Sequence, residues 1–471
     1  MALLSLSLSY LMVILDALIV NVALPSIGRD LGGGLSALQW TVDAYTLVFA
    51  ALLLPAGALG DRLSARRLFE LGLVWFTLWS AVCAAAPSVG ILVAARALQG
   101  VGAAVTVPTG LALLRAQYAE PRARARAIGI WGTTAGIGAA GGPILGGVLT
   151  GLLGWRSVFI VNVPVGLFAI WAAHRAITVA GEREGGGIDP AGQLTAVLTL
   201  GLLALGVIDA GRAGLGALSA WGPLALALVT GAVFLLLEAR GRAPMLELGL
   251  FRSASLSAGT VVGFCINFGL YGQLFATGLF FQQALGYSPL AAGLALLPEG
   301  ACVMAFSMFS GSAVGRFGPR KPMLAGLAAG TVGFAGLALC GGHPAYWELV
   351  APLLVAGAGM STTMVATTNA VISAAPGNRA GAASAVLNAS RQVGSMVGVA
   401  LAGSLLGAGA AGAGLVAAMV ASAVGFGFAL LVALRWVERL SHRSARQTAP
   451  PSPPRAVAHT APDADRVAPG D

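Results

Sequence analysis

Long apolar runs recur along this chain with only short, arginine-bearing breaks between them, and that recurrence restricts the fold more than any other feature. A helix rises 1.5 Å per residue, so crossing a hydrocarbon core of about 30 Å takes roughly 20 apolar residues. Fourteen runs answer that description. They lie near 3–24, 38–60, 68–86, 89–113, 127–150, 157–176, 190–210, 218–237, 256–281, 290–314, 322–341, 346–372, 381–407 and 412–435. Backbone groups in lipid must be satisfied within the segment itself, so the runs are expected to be helices. Only 10% of the residues are charged and 57% are hydrophobic, whereas a soluble domain carries about 25% charged residues. An all-α polytopic membrane protein is the expected class.

The cations test the topology. With the N-terminus placed in the cytoplasm, three loop cations, Arg29, Arg156 and Arg212, fall outside, and all other loop cations before the tail fall inside. A miscounted span would invert this alternation downstream, and none is seen. Both termini are therefore expected to be cytoplasmic. The net charge of +9 follows from this loop bias and gives no reason to expect a nucleic-acid partner. The first run lacks a basic leader and a small-residue cleavage site, so it reads as a span rather than a signal peptide. One lysine, Lys321, among many arginines, with abundant Ala and Gly, suggests a high-GC bacterial source and hence the inner (plasma) membrane.

Two stretches echo each other. "GALGDRLSARR" (57–67) follows the second run, and "GSAVGRFGPRK" (311–321) follows the tenth. Their matching places predict two parallel six-helix halves with two helices inserted between them. The expected units are an N-terminal half over 1–176, a linker with the two inserted spans over 177–255, a C-terminal half over 256–435 and a disordered Pro-rich cytoplasmic tail over 436–471.

Several motifs carry a resemblance. These are "LDALIVNVALP" (15–25), "QWTVDAYTL" (39–47), "GALGDRLSARR" (57–67), "RALQGVGAA" (96–104), "GAAGGPILGG" (138–147) and "GWRSVFIVNVPVG" (154–166). Together they resemble the Major Facilitator Superfamily, in its fourteen-helix drug:proton antiporter branch of the EmrB/QacA type. The resemblance implies the major facilitator fold and proton-coupled efflux of lipophilic drugs, antibiotics or toxic metabolites by alternating access. It also implies that membrane acids and the fourth-span arginine couple protons. The glycine motif of the fifth span implies an exporter, and Asp61 and Arg62 become a gating element on the inner side. Ser64, Ala65 and Gly315 depart from the loop pattern, which implies a weaker latch.

Charges inside spans cost roughly 2.5–3.5 kcal/mol each on insertion scales, so each one present invites an explanation. Asp16 is nine residues before Pro25, about 13 Å deep. Arg96 lies at about 10 Å and Asp43 at about 8 Å from the same side. These charges are expected to satisfy each other, and two readings stand open: a fixed pair holding spans 1, 2 and 4, or an acid that gains and loses a proton. Glu299 and Arg391, both near mid-depth, pose the same alternatives in the second half. The expected proton-coupling set is Asp16, Asp43, Arg96 and Glu299.

Gly138, Gly142 and Gly146 make a smooth stripe for close helix approach, and Pro143 favours a kink. Asn21, Tyr45, Trp131, Gln273, Asn388 and Arg391 are candidates for a substrate cavity, with Phe264, Phe268, Tyr271 and Phe275 as further aromatic candidates. The acids lean the expected substrate toward cationic or neutral compounds. Cys83, Cys265, Cys302 and Cys340 lack metal-ligand spacing, and the four histidines do not cluster, so no metal is expected. There is no P-loop pattern, so no cofactor is expected and an ion gradient supplies the energy. The expected partners are a lipophilic small molecule, protons and the bilayer, with the chain a monomer and not an enzyme. A proton symporter importing a nutrient is the alternative transporter. A membrane enzyme would need a nucleophile–base pair or a metal cluster at depth, and neither is present in the sequence.

Overall fold

The computed structural model describes residues 1–62, 64–118, 120–177, 189–213, 217–241, 246, 248–341, 344–375, 380–407 and 411–437. Every predicted run lies on helix. The first part comprises α1 (Ala2–Leu31), α2 (Leu35–Arg62), α3 (Ala65–Ala85), α4 (Val89–Gln117), α5 (Pro121–Leu153), the short α6 (Ser157–Ile160) and α7 (Asn162–Ala176). Then come α8 (Pro190–Ala213) and α9 (Leu218–Arg240). The last part comprises α10 (Ala254–Leu279), α11 (Pro289–Ala295), α12 (Leu297–Phe317), α13 (Arg320–Leu339), α14 (Tyr346–Ala374), α15 (Ala380–Gly407) and α16 (Ala411–Trp436). Twelve described helices are long and apolar enough to cross a membrane, or thirteen if the bent α5 counts as one span. The predicted span left over, 381–407, corresponds to α15, which does not enter that count.

Local chemistry explains where the helices stop and bend. Ser64, Ser88, Ser253 and Ser288 cap α3, α4, α10 and α11, each accepting from a backbone N–H three residues on. Pro25 was expected to mark the outer end of the first span, but α1 continues through it to Leu31. A proline removes one helix hydrogen bond without forbidding the next turn. Asp16 therefore sits at the midpoint of a 30-residue helix. α5 bends by 44° between Gly138 and Ala140. The break falls at Ala139, whose carbonyl would clash with the ring of Pro143 four residues on.

Packing repeats between the two parts. α1 lies on α5 and α7, α2 on α4, and α3 on α4 and α7. Correspondingly, α10 lies on α15 and α16, α12 on α14, and α13 on α14 and α16. Two seams join the parts in the same crossed manner, α2 against α15 and α5 against α11 and α12. α8 lies along the first seam, touching α2 and α15, and α9 packs on α8. α9 leaves Leu218, Leu228 and Val229 exposed, as a lipid-facing helix does. The tail beyond Val437 and most of the 177–255 linker's first segment (178–188) lie outside the described residues.

Apolar burial gives little net drive between helices in lipid, so backbone approach matters more. The α5 stripe shows this directly. A methyl on Gly142 would stand 2.9 Å from Leu18 Cβ, and one on Gly146 would stand 2.6 Å from Ile19 O. Gly138 meets Leu11 and Ile14 in the same way. Gly147, one residue round from the stripe, instead meets α11: its methyl would lie 2.7 Å from Pro289 O, and one on Gly293 would lie 2.6 Å from Pro143 O. α5 is thus a two-sided spacer, with one face set on α1 and the adjacent edge crossing into the other part of the bundle.

Candidate functional site

Asp16 lies at the centre of a closed polar cluster. Its Oδ2 accepts from Arg96 Nη1. Its Oδ1 accepts from Gln99 Nε2 at 3.0 Å and from Asn162 Nδ2 at 2.6 Å. Asp16 and Arg96 are both fully buried. Arg96 is held in turn by Nε donating to Thr41 O at 3.1 Å and by Nη1 donating to Gln99 Oε1 at 2.8 Å. Its guanidinium lies 4.2 Å from the Tyr45 ring centroid, and the Tyr45 hydroxyl donates to Val13 O at 3.2 Å. Gln99 also donates to Ser80 Oγ at 2.7 Å. Four helices, α1, α3, α4 and α7, each contribute a side chain, with α2 adding the Thr41 carbonyl and the Tyr45 ring. A buried pair of charges is tolerable when such bonds replace water.

Gln99, Asn162 and Ser80 were not singled out in the sequence. Gln99 follows Arg96 by three residues on one helix face, which is a readable signal. Asn162 falls within a quoted motif and opens α7, just after the break at Val161. Ser80 carries no signal of its own. Tyr45 was expected to line a cavity but is fully buried beneath Arg96, because residues 41 and 45 share the α2 face that meets α1 and α4.

Asp43 was expected to join this cluster and does not. It lies on the other face of α2, in line with Gln39 and Leu47. Gln39 Nε2 donates to Ala400 O on α15 at 2.8 Å. Leu47 packs with Met396 and with Ala204 of α8. Asp43 is fully buried between them, and neither of its carboxyl oxygens has a hydrogen-bond partner. The helix rotation of about 100° per residue, invisible in a depth estimate, separates it from Arg96.

Glu299 and Arg391 are likewise not a pair. Glu299 is buried in α12, where its Oε2 accepts from Gln273 Nε2 at 2.8 Å, while Oε1 has no partner. Gln273 is therefore a fixed donor to an acid rather than a free cavity group. Arg391 Nη2 donates to Met364 O at 3.1 Å and Thr368 Oγ1 at 2.9 Å. Asn21 is buried and donates back along its own helix to Leu18 O at 3.1 Å. Trp131 stacks on Tyr10 with ring centroids 3.8 Å apart and both rings half-exposed. Asn388 is half-buried on α15. Asp61 and Arg62 end α2, and their side chains lie outside the described residues.

The two parts of the bundle meet at the end away from Met1 and Val437. Among the described residues, the hydrogen bonds joining α1–α7 to α10–α16 are Gln39 to Ala400 and Gln282 Nε2 to Val22 O at 2.8 Å. The Gly147–Gly293 crossing lies at the same end. A cavity of about 300 Å³ lies just beyond, lined by residues including Pro25, Arg29, Leu38, Phe280 and Gln283.

The Major Facilitator Superfamily model matches residues 6–399 and again 259–462. The chain belongs to the Major Facilitator Superfamily. Among superfamily members it is similar to the multidrug resistance protein Stp of Mycobacterium tuberculosis (strain CDC 1551 / Oshkosh). The two are 38% identical over 408 residues, 87% of this chain and 76% of that protein. It is also 35% identical over 448 residues to the methylenomycin A resistance protein of Bacillus subtilis (strain 168), covering 93% of this chain and 94% of that one. Of solved superfamily-like folds, a bacterial homolog of the human lysosomal transporter Spinster, inward-facing and unoccupied, superposes with a TM-score of 0.66. Identity there is 18%, with 93% of this chain and 98% of that chain covered. The peptide transporter POT in complex with sulfate gives a TM-score of 0.69 at 14% identity, over 93% and 95% of the two chains. These two likenesses establish the shared fold.

Proposed function

We propose that this protein is a proton-coupled exporter of lipophilic small molecules, drugs or toxic metabolites among them. The observation that carries the coupling is Asp43, a carboxyl buried on the α2–α15 seam with no donor for either oxygen. A carboxylate so placed would be an uncompensated buried charge, whereas a protonated acid is tolerable there. The seam opens when the two parts rock apart, and Asp43 then takes its proton from water on the outer side and carries it into the closed state. Glu299, with one oxygen free, is the second proton carrier. Asp16 and Arg96 hold α1, α3, α4 and α7 as one body and change partners only if Asp16 is itself protonated.

Direction comes from the relatives, which are named for resistance and efflux. In this reading the chain spans the inner membrane of a bacterium fourteen times, α15 included, with both termini in the cytoplasm. α1–α7 and α10–α16 form the two moving halves over 1–176 and 256–435, with α8 and α9 inserted. The conformation is then open to the cytoplasm and closed outside. The protein moves its substrate without transforming it, works as a monomer and uses the proton gradient in place of a cofactor.

A susceptibility panel in a pump-deficient host, with wild type, Asp16→Asn and Asp43→Asn, tests the assignment. Wild type should raise tolerance to at least one lipophilic compound, and both variants should lose that protection. Inverted vesicles supply the direction: substrate uptake driven by an inside-acid gradient supports export, and substrate loss from preloaded vesicles driven by the same gradient would indicate a symporter instead.

A further inference from the structure

The cavity of about 300 Å³ at the end of the bundle away from Met1 and Val437 has walls from both parts of the molecule. Pro25 and Arg29 of α1 and Leu38 of α2 stand on one side. Phe280 and Gln283, just after α10, and Leu406 of α15 stand on the other. The contacts that join the two parts form its floor. Beside α1, Gln282 Nε2 donates to Val22 O at 2.8 Å, and a methyl on Gly278 would stand 3.3 Å from Asn21 O. Beside α2, Gln39 Nε2 donates to Ala400 O at 2.8 Å. Asn21 and Val22 lie about a turn deeper in α1 than Pro25 and Arg29, and Gln39 lies deeper in α2 than Leu38.

The wall after α10 is an irregular turn. Phe280–Ala284 is π-helical, a conformation that is rare and occurs mostly at functional sites. Two successive glutamines there have different surroundings: Gln282 ties the turn to α1, and Gln283 faces the cavity. Apart from Gln283 and Arg29 the side chains of the walls are apolar. Arg29 Nη2 donates to Ser26 Oγ at 3.0 Å, and among the described residues no carboxylate lies within ion-pair distance of it. The neighbouring acid, Asp30, accepts instead from Arg156 Nη1 at 2.6 Å and Trp155 Nε1 at 2.8 Å. The cavity therefore offers a positive charge, an amide and an apolar surface.

We propose that this cavity is a binding site for a small amphipathic organic anion arriving from outside the cell, and that its occupant holds the outer side of the bundle shut. The anionic group meets the Arg29 guanidinium and the Gln283 amide, and the apolar body lies against Leu38, Phe280 and Leu406. The volume is at the small end for ligand sites, which suits a fused ring pair with one charged group. A ligand shifts a conformational equilibrium only by its differential affinity for the two states. Here the two walls belong to opposite parts of the bundle, so rocking them apart removes one wall from the ligand. Binding thus favours the closed state and inhibits transport. The inference rests on the exporter reading for the side the cavity faces and the motion it blocks, while the binding itself is measured separately.

The test compares naphthalene-2-sulfonate with neutral naphthalene-2-sulfonamide, bound to the full-length protein in neutral detergent by equilibrium dialysis. Wild type should prefer the sulfonate by about three- to fivefold, the size expected of an exposed cation, and the preference should shrink with added salt. Arg29→Gln should bring the ratio close to one, and Arg29→Lys should keep most of it. Leu406→Trp, which fills the cavity from the other wall, should weaken both ligands several-fold without lowering the unfolding midpoint. A wild-type ratio near one overturns the proposal, and so does undiminished binding to Leu406→Trp. The closing action is read by a cysteine at Ala400 in a cysteine-free background, on the floor beneath the cavity. Saturating sulfonate should slow its reaction with a maleimide several-fold, and an unchanged rate overturns the proposal. Inverted vesicles, whose lumen faces what was the outside, give the sidedness. Sulfonate trapped in the lumen should slow proton-driven ethidium uptake and sulfonate in the medium should not; equal inhibition from both sides overturns the proposal. Ethidium uptake with a binding ratio of one removes this site alone. Binding and slowed labelling with no solute pumped remove the exporter reading alone.

Discussion

Replacing Asp16 by asparagine isolates the central polar cluster. The carboxylate accepts from Arg96, Gln99 and Asn162, all buried. Asparagine offers one acceptor oxygen and one NH2, so at least one of those three donors must face another donor. Arg96 would stay buried with no counter-charge, and its Nη2 already lacks a partner. Removing one member of a buried pair costs about 3–5 kcal/mol, well above the 1–3 kcal/mol of an ordinary unsatisfied group. The expected loss for Asp16→Asn is therefore about 3–5 kcal/mol, read as a lowered midpoint for unfolding in mixed detergent–SDS micelles. Arg96→Gln should cost a similar amount by stranding the carboxylate. The double variant should recover part of the loss, because a neutral amide pair leaves no charge uncompensated, and the coupling should exceed about 1 kcal/mol. Transport should stay lost in all three. A single variant within about 1 kcal/mol of wild type, or strictly additive losses, would refute the claim that the pair is a buried structural lock.

Asp43→Asn should leave stability within about 1 kcal/mol, since the amide resembles a protonated acid in shape, while abolishing proton movement by inverted vesicles measured with a pH-sensitive dye. A destabilised but proton-coupled variant would contradict the role given to the seam. Asn162→Ala removes one donor to the Asp16 charge and should cost about 1.5–3 kcal/mol by the same unfolding assay. Gln273→Leu strips Glu299 of its donor and should cost about 1–3 kcal/mol, with Glu299→Gln expected to restore much of it. Gly293→Ala sets a methyl 2.6 Å from Pro143 O, so the crossing must part. A cysteine at Leu290 in a cysteine-free background should then react several-fold faster with a maleimide, and an unchanged rate would show that this crossing does not close the bundle.

The helices, their order and the class of fold are legible in the sequence because each span solves its own problem. Hydrocarbon forces the backbone to bond locally, so twenty apolar residues are enough to specify a helix, and basic loops are enough to suggest its direction. The glycine stripe of α5 was readable for the same reason, since its four-residue period is a property of one helix. The electrostatic pairings were only partly legible. Depth along the axis correctly suggested Asp16 beside Arg96, but it also suggested Asp43 beside Arg96 and left Glu299 beside Arg391 as an open alternative. Two groups at one depth meet only if their helices turn the right faces to each other, and that azimuth is fixed by neighbours far away in the chain. Tertiary packing alone placed Asn162 on Asp16 and Ser80 on Gln99, turned Asp43 onto the α2–α15 seam, gave Gln273 to Glu299, and left Arg391 without an acid. A span is determined by its own residues and the solvent around it, whereas a charge pair is determined by which faces the bundle brings together.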